Sequence, residues 1–158
     1  MLRPLVLAVL FALALPAVAS AQLLTSEDPE YIAQVLREQG QVARVTTDSV
    51  GDPMIETSVN GIDYRVLFYD CTANTDCQSI AFWTWRTRPG GFDVNDANRW
   101  NARGRYTKVY RDSDGDAAIE MDIYLGDGGI TTQTFLRYLA LWNNDVEQLA
   151  AFVETGRF

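Results

Sequence analysis

The chain has 158 residues, with 13 basic and 21 acidic side chains, a net charge of −8 and no histidine. Without histidine, Ser-His-Asp and Cys-His hydrolase chemistry is excluded, and the commonest zinc and copper ligand is missing. An acidic chain with no Lys/Arg cluster repels phosphate backbones, which disfavours nucleic acid and anionic membrane surfaces as partners.

The N-terminus has the pattern of a secretory signal peptide. Arg3 gives a short positive region, and Leu5 to Leu15 is an unbroken apolar run that Pro16 ends. Ala19 and Ala21 put small residues where a signal peptidase needs them, so cleavage is expected before Gln22. A retained membrane anchor is the alternative, but a span needs about 20 apolar residues and this run is shorter. Residues 1–21 are thus read as the leader and 22–158 as one domain, periplasmic or secreted, with no membrane span after cleavage.

The mature chain opens with a helix start at Ser26-Glu27-Asp28-Pro29, where Ser26 or Asp28 can cap and Pro29 suits the first turn. Tyr31, Ile32, Val35 and Leu36 follow at helical spacing and Gly40 closes the segment, so a helix is expected over 28–39. The period then changes to two. Val42–Thr47, Met54–Val59 and Ile62–Tyr69 read as strands. Asn60-Gly61 is a two-residue hairpin turn. It sets Val59 opposite Ile62, Thr57 opposite Tyr64, Ile55 opposite Val66, and on the other face Glu56 opposite Arg65 as a charge pair.

Cys71 and Cys77 bound a polar loop before the next strand, Ser79–Arg86. In an exported protein a disulfide is the expected state of the two sulfurs. A free thiol pair and half of a metal site are the alternatives. Two Cys without His make a poor metal site, and their spacing is not that of a redox C-x-x-C.

Pro89-Gly90-Gly91 marks a loop. Val94, Ala97 and Trp100 form the stripe of a short second helix within 93–103, capped by Asp93 or Asn95 and stopped by Gly104. Tyr106–Arg111 and Ala118–Leu125 read as a hairpin around Asp114-Gly115, and Gly126 to Gly129 as a turn. Thr131 or Thr132 caps a last helix, in which Phe135, Leu139, Trp142, Val146, Leu149 and Val153 make one apolar stripe. The order α-β-β-β-β-α-β-β-α predicts an α+β fold, an antiparallel sheet with helices packed on it.

Several of these stretches resemble the YbjN family of bacterial proteins. Gly51-Asp52-Pro53-Met54-Ile55 is similar to the family's segment before its second strand. Phe68-Tyr69-Asp70-Cys71 and Cys77-Gln78-Ser79-Ile80-Ala81-Phe82 resemble its cysteine-bounded loop. Asn98-Arg99-Trp100-Asn101, with Arg105-Tyr106 and Tyr110, resembles its helix-to-strand signature and is the most specific stretch. Gly115-Asp116, Glu120-Met121-Asp122 and Gly128-Gly129 are similar to its final hairpin and turn. The resemblance spans about 28–153. It implies a fold like that of type III secretion chaperones, small α+β proteins that often pair as dimers. It also implies a regulatory role in sensory transduction, without an established enzymatic activity.

Candidate sites each have a plainer explanation beside them. Glu120 and Asp122 share a strand face and could do acid/base work or hold a cation; a solvated face with Arg111 diagonal to Glu120 is the preferred explanation. Asp112, Asp114 and Asp116 alternate as calcium ligands do, but a calcium loop needs its glycine sixth and a Glu twelfth, where this chain has Gly115 fourth and Ile123 twelfth. Trp83 and Trp85 alternate onto one strand face, with Phe82 on the other. They are core residues, an interface anchor or a stacking platform for a flat ligand. Asn98, Trp100 and Asn101 lie on the short helix, and mid-helix Asn points to hydrogen bonds with neighbouring backbone or to a ligand. Gly126 to Gly129 precedes a helix, but Asp127 repels an anion there.

No catalytic residue, metal or cofactor is marked. The expectation is a non-enzymatic, chaperone-like interaction protein of the cell envelope, with an unidentified protein partner or a second copy of itself. The alternative is a binding module for an envelope saccharide or peptidoglycan fragment, built on Trp83 and Trp85. A carboxylate-only hydrolase is a third class, although no Asp/Glu pair is singled out.

Overall fold

A computed structural model describes residues 23–157. The leader, the cleavage point before Gln22 and Phe158 lie outside the described residues. Three helices and eight strands follow in the order β1 (Leu23–Leu24), α1 (Pro29–Glu38), β2 (Val42–Thr47), β3 (Pro53–Val59), β4 (Ile62–Tyr69), β5 (Ser79–Arg86), α2 (Val94–Asn101), β6 (Lys108–Arg111), β7 (Ala117–Tyr124), β8 (Ile130–Thr131) and α3 (Thr132–Thr155). The fold is α+β, as the sequence predicts.

Strands β2 to β7 form one six-stranded sheet in the order β2-β3-β4-β5-β7-β6, with every neighbouring pair antiparallel. The first four strands meander. The chain then leaves β5, passes through α2 and returns at the far edge as β6, so β7 closes the gap between them. The turn at Asn60-Gly61 has φ values of 50° and 78°, the left-handed pair that a two-residue hairpin requires. It fixes the expected register: Val59 opposes Ile62, Thr57 opposes Tyr64, and Ile55 opposes Val66.

Asp28 caps α1 by accepting from the Tyr31 N–H, Asp93 caps α2 through Asn95, and Thr131 caps α3 through Thr134. Ser26 does not cap; its buried hydroxyl donates to the Cys77 carbonyl and anchors the N-terminal segment. The whole apolar stripe expected on α3 is buried. Helix α1 packs on β2 and β3, α3 on β5 and β7, and α2 against β6.

All three helices lie to one side of the sheet. At the centre of that side Phe82 is fully buried, with Tyr64, Phe135 and Trp142 at ring-centroid distances of 5.9, 5.8 and 5.6 Å. Gln41 is among the polar side chains buried in this layer, and its bonds are made. The Gln41 side-chain oxygen accepts from the Tyr64 hydroxyl at 2.6 Å and from the Thr57 hydroxyl at 3.2 Å. Burial is the larger influence on Tyr64 and pushes its phenol pKa well up despite those two bonds, so it stays neutral.

Strands β1 and β8 were not expected from the sequence. Leu24 pairs with Ile130 and is fully buried. A side chain at Gly129 would meet the Leu24 carbonyl oxygen at 2.1 Å, so this pairing needs glycine there. The last hairpin also differs in its turn. Five residues, Asp112 to Asp116, connect β6 to β7, because Arg111 pairs with Ala117. Asp112 organises the turn, its carboxylate accepting from the N–H groups of Asp114 and Asp116. The alternating carboxylates therefore follow from turn chemistry.

Candidate functional site: the open face of the sheet

The sheet face opposite the helices carries no helix among the described residues. Alternation along each strand puts Arg44 of β2, Glu56 of β3, Arg65 of β4, Trp83 and Trp85 of β5, Glu120 and Asp122 of β7, and Lys108 and Tyr110 of β6 on it. Phe82 and Trp83 are adjacent in sequence and lie on opposite faces, one in the core and one outside it. The tryptophans are therefore not core residues: Trp83 is half-buried and Trp85 is 42% exposed.

The two indoles pack on each other, with centroids 5.1 Å apart and planes inclined by 34°. The Arg65 guanidinium lies 5.8 Å from the Trp83 ring and 5.9 Å from the Trp85 ring, a double cation–π contact. Trp83 Nε1 donates to the Tyr110 hydroxyl at 3.0 Å. Ala118 of β7 lies between Trp85 and Tyr110 in register, and so small a residue lets the aromatic groups meet across the strand. Partial burial raises the Tyr110 phenol pKa, against the lowering effect of the Trp83 hydrogen bond. Tyr69 and Tyr124 are exposed at the other end of the face. The Tyr69 phenol is raised first by partial burial and then by the charges of Glu120, Asp122 and Asp48.

Two charge pairs differ from the sequence expectation. Arg65 opposes Glu56 in register, but the Glu56 carboxylate pairs with Arg44 on the other flanking strand. Its departure leaves Arg65 to the indoles. Glu120 pairs with Lys108 and not with Arg111, since the wider turn places Lys108 directly opposite it. Lys108 also reaches Asp122 at 3.4 Å. The hydrogen bond with Glu120 is the main reason the Lys108 ammonium pKa is raised. Both carboxylates of the acid/base candidate thus lie beside the same ammonium group, that of Lys108.

The α2 candidates separate into different roles. Trp100 is buried, packs on Phe152 at 5.9 Å and directs Nε1 at the Thr107 hydroxyl. Asn101 donates to the Val109 carbonyl and accepts from the Val109 N–H, both at 2.9 Å. One side-chain amide therefore occupies the outer edge of β6 as a neighbouring strand would. Asn98 is exposed on α2. At the opposite sheet edge, Arg37 donates to the Ala43 carbonyl of β2 at 3.0 Å.

The cysteines form the expected disulfide, Cys71–Cys77. Inside its loop Thr72 and Thr75 bridge around Ala73-Asn74, both at positive φ, and the Asn74 amide ties the loop to Asp52 at 2.8 Å and to the Val50 carbonyl at 3.1 Å. Among the described residues no group of three Cys, Asp or Glu side chains is arranged to hold a metal ion, and no helix is long and apolar enough to cross a membrane.

Fold and face together define a small α+β protein with one helix-covered and one open, aromatic sheet surface. The profile of one protein family, YbjN, described as "Putative bacterial sensory transduction regulator", matches residues 28–155. The chain belongs to the YbjN family. No curated protein and no solved structure gives a significant match.

Proposed function

We propose that this protein is an exported, non-catalytic interaction protein that holds a protein partner against the open face of its sheet. The observation that carries the reading is the stack of Arg65, Trp83 and Trp85 on a surface that no helix among the described residues covers. Trp, Tyr and Arg are the residues enriched at the energetic centres of interfaces. The two sheet edges are less suited to strand addition. Asn101 occupies both backbone groups of Val109 on β6, and Arg37 occupies the Ala43 carbonyl on β2. The family's description names a regulatory role, and a role carried out by binding a partner is compatible with it. Export is supported by the leader pattern and by the disulfide pair, which suits an oxidising compartment. Absence of catalysis is supported by the lack of histidine and by the pairing of Glu120 and Asp122 with the Lys108 ammonium.

The test is photo-crosslinking in intact cells, with a photoreactive residue replacing Tyr124 on the open face or Glu154 on α3. A specific protein adduct from position 124 alone is the expected result. Adducts from position 154 alone, or from neither, contradict the reading. Self-association is a separable part of it, read by sedimentation equilibrium at high concentration: a dimer supports pairing and a monomer removes it.

A further inference from the structure

Beside Trp85 the open face is indented by a cleft of about 490 Å³, lined among others by Val42, Arg44, Ser58, Asp63, Arg65 and Trp85. Small-molecule sites typically have volumes of about 300–1,000 Å³. We infer that this cleft binds a carboxylated sugar, a pyranose ring that carries an acid group.

Each part of such a ligand meets a group suited to it. The exposed indole of Trp85 offers a flat apolar wall on which the C–H face of a sugar ring can lie. Arg65 offers a guanidinium fork for the carboxylate. Among the described residues no carboxylate forms an ion pair with Arg65, because Glu56, its register partner, pairs with Arg44. The two indoles hold the Arg65 group in place, so little side-chain freedom is lost when a ligand binds. Asp63, two residues before Arg65 on the same strand face, forms no ion pair among the described residues and can accept from ring hydroxyls. The Arg44–Glu56 pair and Ser58 supply further donors and acceptors on the far wall. An acidic peptide could give Arg65 its carboxylate too, but it brings negative charge towards Asp63 and Glu56 without the hydroxyl donors they can use.

This goes beyond the protein-binding reading, although both use the same face, and the two can fail separately. The test is titration calorimetry with tryptophan fluorescence on the disulfide-intact protein. The probes are D-glucuronic acid and N-acetylmuramic acid, with glucose and N-acetylglucosamine as neutral counterparts and a Glu-rich peptide as the competing class. Saturable binding of at least one acid is expected, about tenfold or more tighter than its neutral counterpart and weakened by salt. Arg65→Gln brings the acid down to the neutral level, Arg65→Lys falls between, and Trp85→Ala abolishes the heat of binding while circular dichroism is unchanged. Four results overturn the proposal: no saturable binding of either acid, equal affinity for acid and neutral sugars, an affinity unmoved by Arg65→Gln, or binding of the peptide where neither acid binds. Any of these leaves the crosslinking through position 124 untouched.

Discussion

The two faces of the central sheet are made from the same strands and differ in what is done with aromatic side chains. On the covered face Phe82 meets three rings from β4 and α3 and loses all contact with water. One residue later Trp83 faces the other way, shares its surface with Trp85 and Arg65, and remains partly wet. Burial on the first face holds the fold together. On the second face Trp83 and Trp85 keep part of their surface exposed within the monomer, and that apolar surface is left for something else to cover.

Substitutions should separate these two uses. Phe82→Ala removes a fully buried ring from the centre of the covered face and should cost about 3–5 kcal/mol, measured by urea unfolding. A smaller loss, about 1–3 kcal/mol, is expected for Asn101→Ala, which strips the Val109 N–H and carbonyl of their partner at the sheet edge. The same variant should self-associate more at high concentration by light scattering, because β6 then presents a free edge. Trp85→Ala, on the open face, should change unfolding stability by at most about 1 kcal/mol. A loss as large as that of Phe82→Ala would mean that the open face is a second core.

The smallest effect concerns pH. The Lys108 pKa is raised in the folded state, chiefly by the Glu120 hydrogen bond. Its contribution to stability is therefore fully present below the unfolded lysine pKa of about 10.4 and is lost as pH rises through the folded value. Lys108→Met should flatten the alkaline end of the stability profile and leave neutral pH nearly unchanged, since the ammonium is mostly exposed.

Much of the scaffold was legible because local chemistry and global packing agree. Asn60-Gly61 set the β3–β4 register residue by residue, and the stripe from Phe135 to Val153 named the buried side of α3. The site was less legible. Alternation showed that Trp83 and Trp85 share a face, but Phe82 and Ile80 made the opposite face apolar too, and only the placement of the helices decides which is covered. The hairpin register points Arg65 at Glu56, whereas Glu56 has an arginine on each flank and pairs with the other one. The Lys108–Glu120 pair is hidden in the sequence because Asp114-Gly115 resembles a two-residue turn, and the Asp112 carboxylate organises one of five residues. Strands β1 and β8 are two residues each, too short for any period to show.

The central claim is that the indoles of the open face serve binding and not folding. Its most direct test is the double variant Trp83→Ala/Trp85→Ala, carrying the photoreactive residue at position 124 and assayed in intact cells beside the parent. The account expects an unchanged circular dichroism spectrum and cooperative unfolding together with loss of the adduct. A folded double variant that gives the adduct in undiminished yield contradicts it.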